Sequence, residues 1–108
     1  MKAFESKNPG EVIAEEKGPL IVDFFASWCG PCKMLAPVLE SVGQKYASSL
    51  KILKVDIDEY PELANEYKVM SVPTLLFLSN GKLVDREVGF IPEEKLCSII
   101  ESKFMVKV

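Results

Sequence analysis

Residues 20–32 read Leu20-Ile21-Val22-Asp23-Phe24-Phe25-Ala26-Ser27-Trp28-Cys29-Gly30-Pro31-Cys32. The first six form a short, nearly continuous apolar run, which is typical of a strand buried on both faces of a sheet. Cys29 and Cys32 follow where this strand gives way to a helix, and Pro31 suits the first helical turn because its missing N–H costs nothing there. The remaining strands and helices are predicted from the sequence on either side of this strand–helix junction.

Three more strands are predicted downstream. Residues 51–58 alternate apolar and charged side chains, which suits a second strand, and residues 74–78 form a third apolar run. Asn80-Gly81 is a strong two-residue hairpin signal. Residues 82–88 are therefore predicted to return antiparallel to the third strand.

Helices are predicted between the strands. Asn8 is a candidate N-cap, with Pro9 at the first helical position and Glu11 where a capping box places it. A short helix is expected near residues 61–67. These two helices are defined by their start signals more than by long apolar stripes.

Two longer helices are predicted from apolar residues at helical spacing. Residues 31–47 carry one such stripe, and Pro37 inside it predicts a kink. This stripe consists of Met34, Leu35, Val38, Leu39 and Val42. The last helix covers residues 92–103, and its inner face is predicted to hold Leu96, Ile99, Ile100 and Phe104.

The resulting element order is β-α-β-α-β-α-β-β-α. Parallel strands need crossover helices, and right-handed crossovers place helices on both faces of a central sheet. The predicted fold class is therefore α/β, a three-layer α/β/α sandwich.

Length and charge bound the function. The 108 residues fit one domain spanning residues 1–108. The net charge of −3 leaves no basic stripe for a nucleic-acid backbone, so no nucleic-acid partner is expected. No apolar run approaches the roughly 18–20 residues that span a bilayer, and residues 1–8 hold no signal-peptide core. We expect a cytoplasmic monomer that does not bind membranes.

The composition narrows the chemistry to thiols. The chain has no His, which excludes Ser-His-Asp and Cys-His catalysis, and its three Cys cannot form a four-Cys zinc site. The Cys29–Cys32 pair has three interpretations: half of a zinc site, a structural disulfide, or a catalytic dithiol. No second pair exists, Cys97 cannot complete a zinc site, and a structural disulfide is unexpected in a cytoplasmic chain. The strand-before, helix-after context favours catalysis.

The predicted dithiol works through an ionised sulfur at the carboxyl end of a central strand, where open α/β sheets bind ligands. Unpaired N–H groups and the helix dipole favour a thiolate at Cys29, and the thiolate is the attacking species in disulfide exchange. The two-residue separation lets the two sulfurs close a small ring. Cys29 is expected to be the exposed nucleophile and Cys32 the more buried resolving thiol.

Two charged residues are candidates to support the dithiol. A carboxylate inside a buried strand is costly, and burial should raise its pKa, so Asp23 is a candidate proton acceptor and donor for Cys32. The alternative is a strand-end Asp that reaches solvent. Lys54, in the neighbouring strand, is either the charge partner of Asp23 or an ordinary surface lysine.

An apolar surface is expected around the sulfurs, and patches of this kind mark binding sites. It comprises Trp28, Gly30, Pro31, Val72 and Phe90. Pro73, at the entrance of the third strand, is compatible with a cis peptide, although spacing alone favours trans.

Three sulfur-containing residues are interpreted as packing residues. Cys97 is predicted at the edge of the core, with a regulatory thiol as the alternative. Met34 and Met70 are also expected to pack, with a place for Met70 at the border of a partner groove as the alternative.

Several motifs together resemble the thioredoxin family over nearly the whole chain. They are Val22-Asp23-Phe24, Trp28-Cys29-Gly30-Pro31-Cys32-Lys33, Ala36-Pro37, Lys54-Val55-Asp56, Val72-Pro73-Thr74, Asn80-Gly81 and Val88-Gly89. The resemblance implies the thioredoxin fold, a central five-stranded mixed sheet flanked by four helices. It also implies a general protein-disulfide reductase that carries electrons from thioredoxin reductase to disulfide-containing client proteins. NADPH and FAD would belong to that reductase, and this chain would bind no cofactor or metal.

The resemblance also implies roles for single residues. Asp23 would be the buried carboxylate behind the dithiol, and Lys54 its companion. Pro73 would be a cis proline opposite the disulfide, and Val72 would offer backbone pairing to an extended substrate segment. Gly89 would let a partner approach closely.

Two more features bear on direction and specificity. Gly30-Pro31 resembles reducing members of the family, whereas oxidising relatives typically have a His there. Phe90 departs from the small residue that the family commonly has after Gly89, so the partner surface is bulkier. Two other functions stay open: a dithiol oxidase or isomerase of a secreted compartment, and a binding module in which the thiols are incidental.

Overall fold

A computed structural model of the protein describes residues 8–106 and places four strands and four helices in them. The strands are β1 (Pro19–Phe25), β2 (Lys51–Asp56), β3 (Thr74–Ser79) and β4 (Lys82–Val88). The helices are α1 (Pro9–Glu15), α2 (Gly30–Lys45), α3 (Pro61–Glu66) and α4 (Glu93–Phe104). The elements predicted in this part of the chain are all present, and their ends lie within about two residues of the predicted ones, the usual uncertainty of helix and strand ends.

The four described strands form one mixed sheet in the order β2-β1-β3-β4. β1 pairs parallel with β2 and antiparallel with β3, and β3 pairs antiparallel with β4. The sheet therefore has four strands within residues 8–106, where five were expected for the whole chain. The leading strand of the predicted order would precede the α1 N-cap and lies outside the described residues.

Local signals explain where the elements begin and turn. The Oδ1 atom of Asn8 accepts a hydrogen bond from the Glu11 N–H at 2.9 Å, which confirms the predicted N-cap of α1. Asn80 and Gly81 have φ angles of 53° and 79°, as a two-residue hairpin turn between β3 and β4 requires. Pro37 lies inside α2 as predicted.

Two apolar clusters lie on opposite faces of the sheet, as three layers require. One contains Ile21 of β1 and Leu75 of β3 with residues of α2 and α4, Leu35 and Ile100 among them. The other contains Leu20, Val22 and Phe24 of β1 with Val12 of α1 and Ala64 of α3. Because successive strand side chains point to opposite faces, Asp23 lies on the same side of the sheet as Ile21, beneath α2.

Candidate active site

The two cysteines meet at the start of α2. Cys29 is the N-cap of that helix, Cys32 lies in its first turn, and a disulfide joins them, with their Cα atoms 5.3 Å apart. The Cys32 N–H donates a hydrogen bond to the Cys29 Sγ at 3.1 Å. A free amide at the helix N-terminus is therefore already aimed at this sulfur, which is the arrangement that stabilises a thiolate there.

The exposure of the two cysteines differs from the prediction. Cys29 was expected to be the more exposed, yet the exposed fractions are 4 % for Cys29 and 6 % for Cys32. The reason is that the Cys29 Sγ packs 3.6 Å from the carbonyl oxygen of Val72, and both cysteines belong to a small apolar cluster with Ala26. In this disulfide form, therefore, position in the helix distinguishes the two sulfurs and exposure does not.

The loop before β3 borders the disulfide. The Val72–Pro73 peptide bond is cis, as the family resemblance implied and spacing alone did not. The Thr74 hydroxyl donates to the Ser71 carbonyl at 2.7 Å, and the Gly89 N–H donates to the Pro73 carbonyl at 2.8 Å. Gly89, with a φ of 92°, is thus joined to the loop whose Val72 carbonyl lies against Cys29.

Asp23 is buried in the middle of the sheet, with 2 % of its surface exposed. Its Oδ1 has no hydrogen-bond partner within residues 8–106. It shares its side of the sheet with the buried face of α2, on which Cys32 and Leu35 lie. Desolvation by burial raises the pKa of the Asp23 carboxyl to about 6, and the positive charge of Lys54 opposes that rise. The alternative that Asp23 reaches solvent is wrong.

Lys54 is exposed on β2, in register with Asp23 on the parallel neighbour β1. Its Nζ lies over the Phe25 ring, 4.8 Å from the ring centroid, which is a cation–π distance. The positive charge of the ammonium also lowers the pKa of the Asp23 carboxyl, so Lys54 acts on Asp23 through space rather than as an isolated surface charge.

An apolar rim is exposed around the start of α2 and the neighbouring loops. Trp28 is 67 % exposed and Phe90 43 % exposed, and Gly30 and Pro31 are exposed between the two cysteines. Val72 is half-buried, and Pro73 is buried. Of the predicted apolar surface, all residues except half-buried Val72 are thus exposed, and Pro73 packs inward behind it.

Two methionines do not pack as predicted. Met34 is 61 % exposed and Met70 is 92 % exposed. Met34 lies on the exposed side of α2, whereas Leu35 and Leu39 are buried in the core. Because Met70 is so exposed, its expected packing role is wrong, and the alternative that it borders a partner groove stays a prediction.

Cys97 lies on α4 and is half-buried against the cluster under α2 and α4. Its Sγ is 3.8 Å from the Lys45 Nζ, and Lys45 also pairs with Glu93 at 3.1 Å. Its predicted place at the edge of the core is confirmed.

Asp58 is a site residue that the sequence analysis missed. Its Oδ2 accepts a hydrogen bond from the Trp28 Nε1–H at 2.8 Å, across 30 positions of sequence. The available signal was its place just beyond the carboxyl end of β2, where ligand-binding residues of α/β sheets collect.

Within residues 8–106, no group of three or more His, Cys, Asp or Glu side chains is arranged to hold a metal ion. No helix of that same part of the chain is long and apolar enough to cross a membrane.

Comparison with known proteins agrees with this geometry. A sequence model of the family described as Thioredoxin matches residues 1–102. The chain belongs to the thioredoxin family. It is 50 % identical over 86 residues to the thioredoxins of Staphylococcus aureus strains MW2, N315 and COL, which covers 80 % of this chain and 83 % of each of those proteins.

Membership of the thioredoxin family fixes the class of activity. The protein is a thiol–disulfide oxidoreductase and protein-disulfide reductase, and its CxxC pair is the Cys29–Cys32 disulfide. The family implies a reductase partner and disulfide-containing clients. The α/β fold with its mixed sheet and four helices is the thioredoxin fold.

Proposed function

We propose that Cys29 is the attacking thiol and Cys32 the resolving thiol of a general, reducing protein-disulfide reductase. The observation that carries this assignment is the Cys29 Sγ, which caps α2 and accepts the Cys32 N–H at 3.1 Å. A helix amide that faces a sulfur lowers the free energy of the thiolate more than that of the thiol. Cys32 lies inside the helix and lacks such a position.

The reaction balances as two successive exchanges. The Cys29 thiolate attacks a client disulfide, forms a mixed disulfide and expels one client thiolate. The Cys32 thiolate then attacks the Cys29 Sγ, forms the intramolecular disulfide and expels the second client thiolate. Two electrons pass to the client, and the chain is left in the oxidised form that the structure describes.

Asp23 is proposed to accept the Cys32 proton in the second step. It lies on the side of the sheet that faces α2, and its pKa of about 6 leaves it mostly ionised at pH 7. Its buried Oδ1 has no hydrogen-bond partner among residues 8–106, and protonation would remove a poorly solvated charge. Lys54 would keep the pKa of Asp23 from rising further.

Client binding is proposed to use backbone and apolar contacts. An extended client segment would pair with the Val72 backbone beside Cys29, and Gly89 would leave room for its approach. Trp28, Gly30, Pro31 and Phe90 would cover the client on its apolar side. Buried Pro73 would hold the Val72 carbonyl in place through the loop.

The finer assignments follow the same proposal. The chain works as a single domain over residues 1–108, as a cytoplasmic monomer, without nucleic acid, metal or bound cofactor. Thioredoxin reductase, which carries FAD and takes electrons from NADPH, would reduce the Cys29–Cys32 disulfide after each turnover. The Gly30-Pro31 dipeptide supports this reducing direction.

An insulin-reduction assay with thioredoxin reductase and NADPH tests the proposal. Cys29→Ser should lower turnover by about a thousandfold or more, because the nucleophile is lost. Cys32→Ser should lose turnover as well, but it should accumulate mixed disulfides that a reductant releases. Cys97→Ser is the matched control and should reduce insulin at the wild-type rate.

Two results would contradict the assignment. One is a Cys29→Ser variant that still reduces insulin. The other is trapping by Cys29→Ser but not by Cys32→Ser, which would exchange the two roles. A measured potential of the Cys29–Cys32 pair far above the cytosolic glutathione poise would instead favour the oxidase or isomerase.

A further inference from the structure

Lys54 needs a restraint if its charge is to act steadily on Asp23. It lies opposite Asp23 in the parallel β1–β2 pairing, and residues in register on neighbouring strands point to the same side of a sheet. Its side chain is nevertheless exposed, and a lysine ammonium sits on a flexible stem that lets it move away into water. What holds the ammonium therefore determines how strongly Asp23 experiences its charge.

The ring of Phe25 holds the Lys54 ammonium. The Lys54 Nζ lies 4.8 Å from the centroid of this ring, within the range of a cation–π contact. Phe25 stands two positions after Asp23 on β1, so both side chains lie on the side of the sheet that faces α2. The ring thus binds the cation on the same side of the sheet as the carboxylate.

The Phe25 ring is itself fixed by the fold. Phe25 is the last residue of β1 and is half-buried against the small cluster of Ala26, Cys29 and Cys32. Its carbonyl accepts the Ile57 N–H at 2.9 Å, which continues the β1–β2 pairing beyond the strand ends. The ring therefore has a defined place beside the redox site, and the ammonium that contacts it is held there.

Among the elements packed around Asp23, β2 brings the charge. β3 places Leu75 in register with Asp23, and the α4 side chains buried in the same core are apolar. α2 brings Cys32, whose sulfur is part of the disulfide and does not titrate in the oxidised protein. A change in proton binding at Asp23 in the oxidised protein can therefore be assigned to Lys54.

We infer that Phe25 is a positioning residue that holds the Lys54 ammonium toward Asp23. It acts through Lys54 and exchanges neither a proton nor an electron. Without the ring the ammonium would leave for water more often, because an exposed cation–π contact changes such populations by about two- to fivefold. The inference rests on the proposed role of Asp23 for its kinetic consequence, whereas the contact and its effect on proton binding do not depend on activity.

Phe25→Leu tests the inference, because leucine keeps an apolar side chain but presents no ring face. In the oxidised protein, NMR titration of the Asp23 carboxyl carbon should show a proton-binding constant about two- to threefold higher than in wild type. The acid limb of insulin turnover should move to higher pH, because a carboxylate that binds its proton more tightly ionises at higher pH. Phe25→Tyr keeps the ring and should keep both wild-type values.

Two lysine variants separate the charge from the packing. Lys54→Gln removes the cation and should raise the constant at least as much as Phe25→Leu, and adding Phe25→Leu to it should change nothing further. Lys51→Gln is the matched control, since Lys51 lies on the same strand but pairs with Leu20, on the opposite face of the sheet. It should leave the constant at the wild-type value.

A measurement on the wild-type protein checks the contact directly. The ε-methylene protons of Lys54 should resonate upfield of their random-coil position, because they lie over the Phe25 ring. The inference is overturned if these protons show no such shift, if Phe25→Leu leaves proton binding at Asp23 unchanged, or if it changes that binding equally in the Lys54→Gln background. An equal rise in Lys51→Gln or Phe25→Tyr would also overturn it. A wild-type protein that fails to reduce insulin would instead overturn the proposed function and leave the NMR titration to decide the positioning role.

Discussion

Asp23 combines a cost to the fold with the proton-accepting role proposed for it. Its pKa rises from 3.8 to about 6 because burial penalises the charged carboxylate. A group whose pKa is raised by folding stabilises the fold fully below its unfolded pKa, and that contribution is lost as the pH rises through the folded pKa. Between about pH 3 and pH 8 the free energy of unfolding should therefore fall by about 3 kcal/mol on account of this residue.

Asp23→Asn should remove the penalty and reveal the trade-off. At pH 8 we expect the variant to be about 2 kcal/mol more stable than wild type, somewhat less than the full penalty because the buried amide also lacks partners. Its insulin turnover at pH 7 should fall by about tenfold at most, because the resolving thiol loses its proposed base. Urea unfolding at pH 4 and pH 8 measures the first effect. An equal stability difference at both pH values would contradict the assigned cause.

Residue-level prediction from the sequence succeeded where composition and local context determine the outcome. A carboxylate inside an apolar strand run has to be buried, and Asp23 is. Exposure was predicted wrongly at Cys29, because it depends on the approach of the Val72 loop, and at Met34, which lies on the exposed side of α2. The Trp28–Asp58 hydrogen bond joins residues 30 positions apart and has no local signature.

At the scale of elements, two glycines allow a paired test of backbone effects. Gly81 has a φ of 79° in the β3–β4 turn, and an added Cβ there would meet no atom within 4 Å. Gly43 lies inside α2, and its added Cβ would stand 3.5 Å from the Ile52 Cδ1, an ordinary contact. The same substitution by alanine should therefore have opposite effects at the two sites.

Gly81→Ala should destabilise the protein by about 1–2 kcal/mol, because an L side chain disfavours the left-handed backbone. Gly43→Ala should stabilise it by about 0.5–1 kcal/mol, because alanine loses less backbone entropy in a helix. Urea unfolding of both variants and wild type at one pH decides the signs. Destabilisation by Gly43→Ala would mean that Ile52 cannot adjust to the new methyl group.

The elements were predictable because their start and turn signals are local. The Asn8 cap and the Asn80-Gly81 turn each act over a few residues, and the continuous apolar run of β1 indicated a central strand. β1 does lie between β2 and β3. The fifth strand of the prediction belongs before α1 and stays a prediction, since it lies outside residues 8–106.

For the whole molecule, the disulfide is a small part of what holds the fold together. The two large apolar clusters lie on the two faces of the sheet, and neither contains Cys29 or Cys32. The cysteines belong to a small third cluster with Ala26. A reductase must stay folded in both redox states, and this separation of the core from the redox site allows it.

Reduction of the disulfide should consequently lower stability without unfolding the protein. The bond closes a loop with a sequence separation of 3, and the chain-entropy relation gives about 2 kcal/mol for so short a loop. Urea unfolding followed by circular dichroism, with and without a reductant, should show a cooperative transition in both states and a midpoint about 1–2 M lower for the dithiol form. Cys32→Ser, which cannot form the bond, should show no such shift. Equal midpoints for the two redox states of the wild type would show that the disulfide does not stabilise the fold, and loss of the transition on reduction would show that the core depends on the redox site.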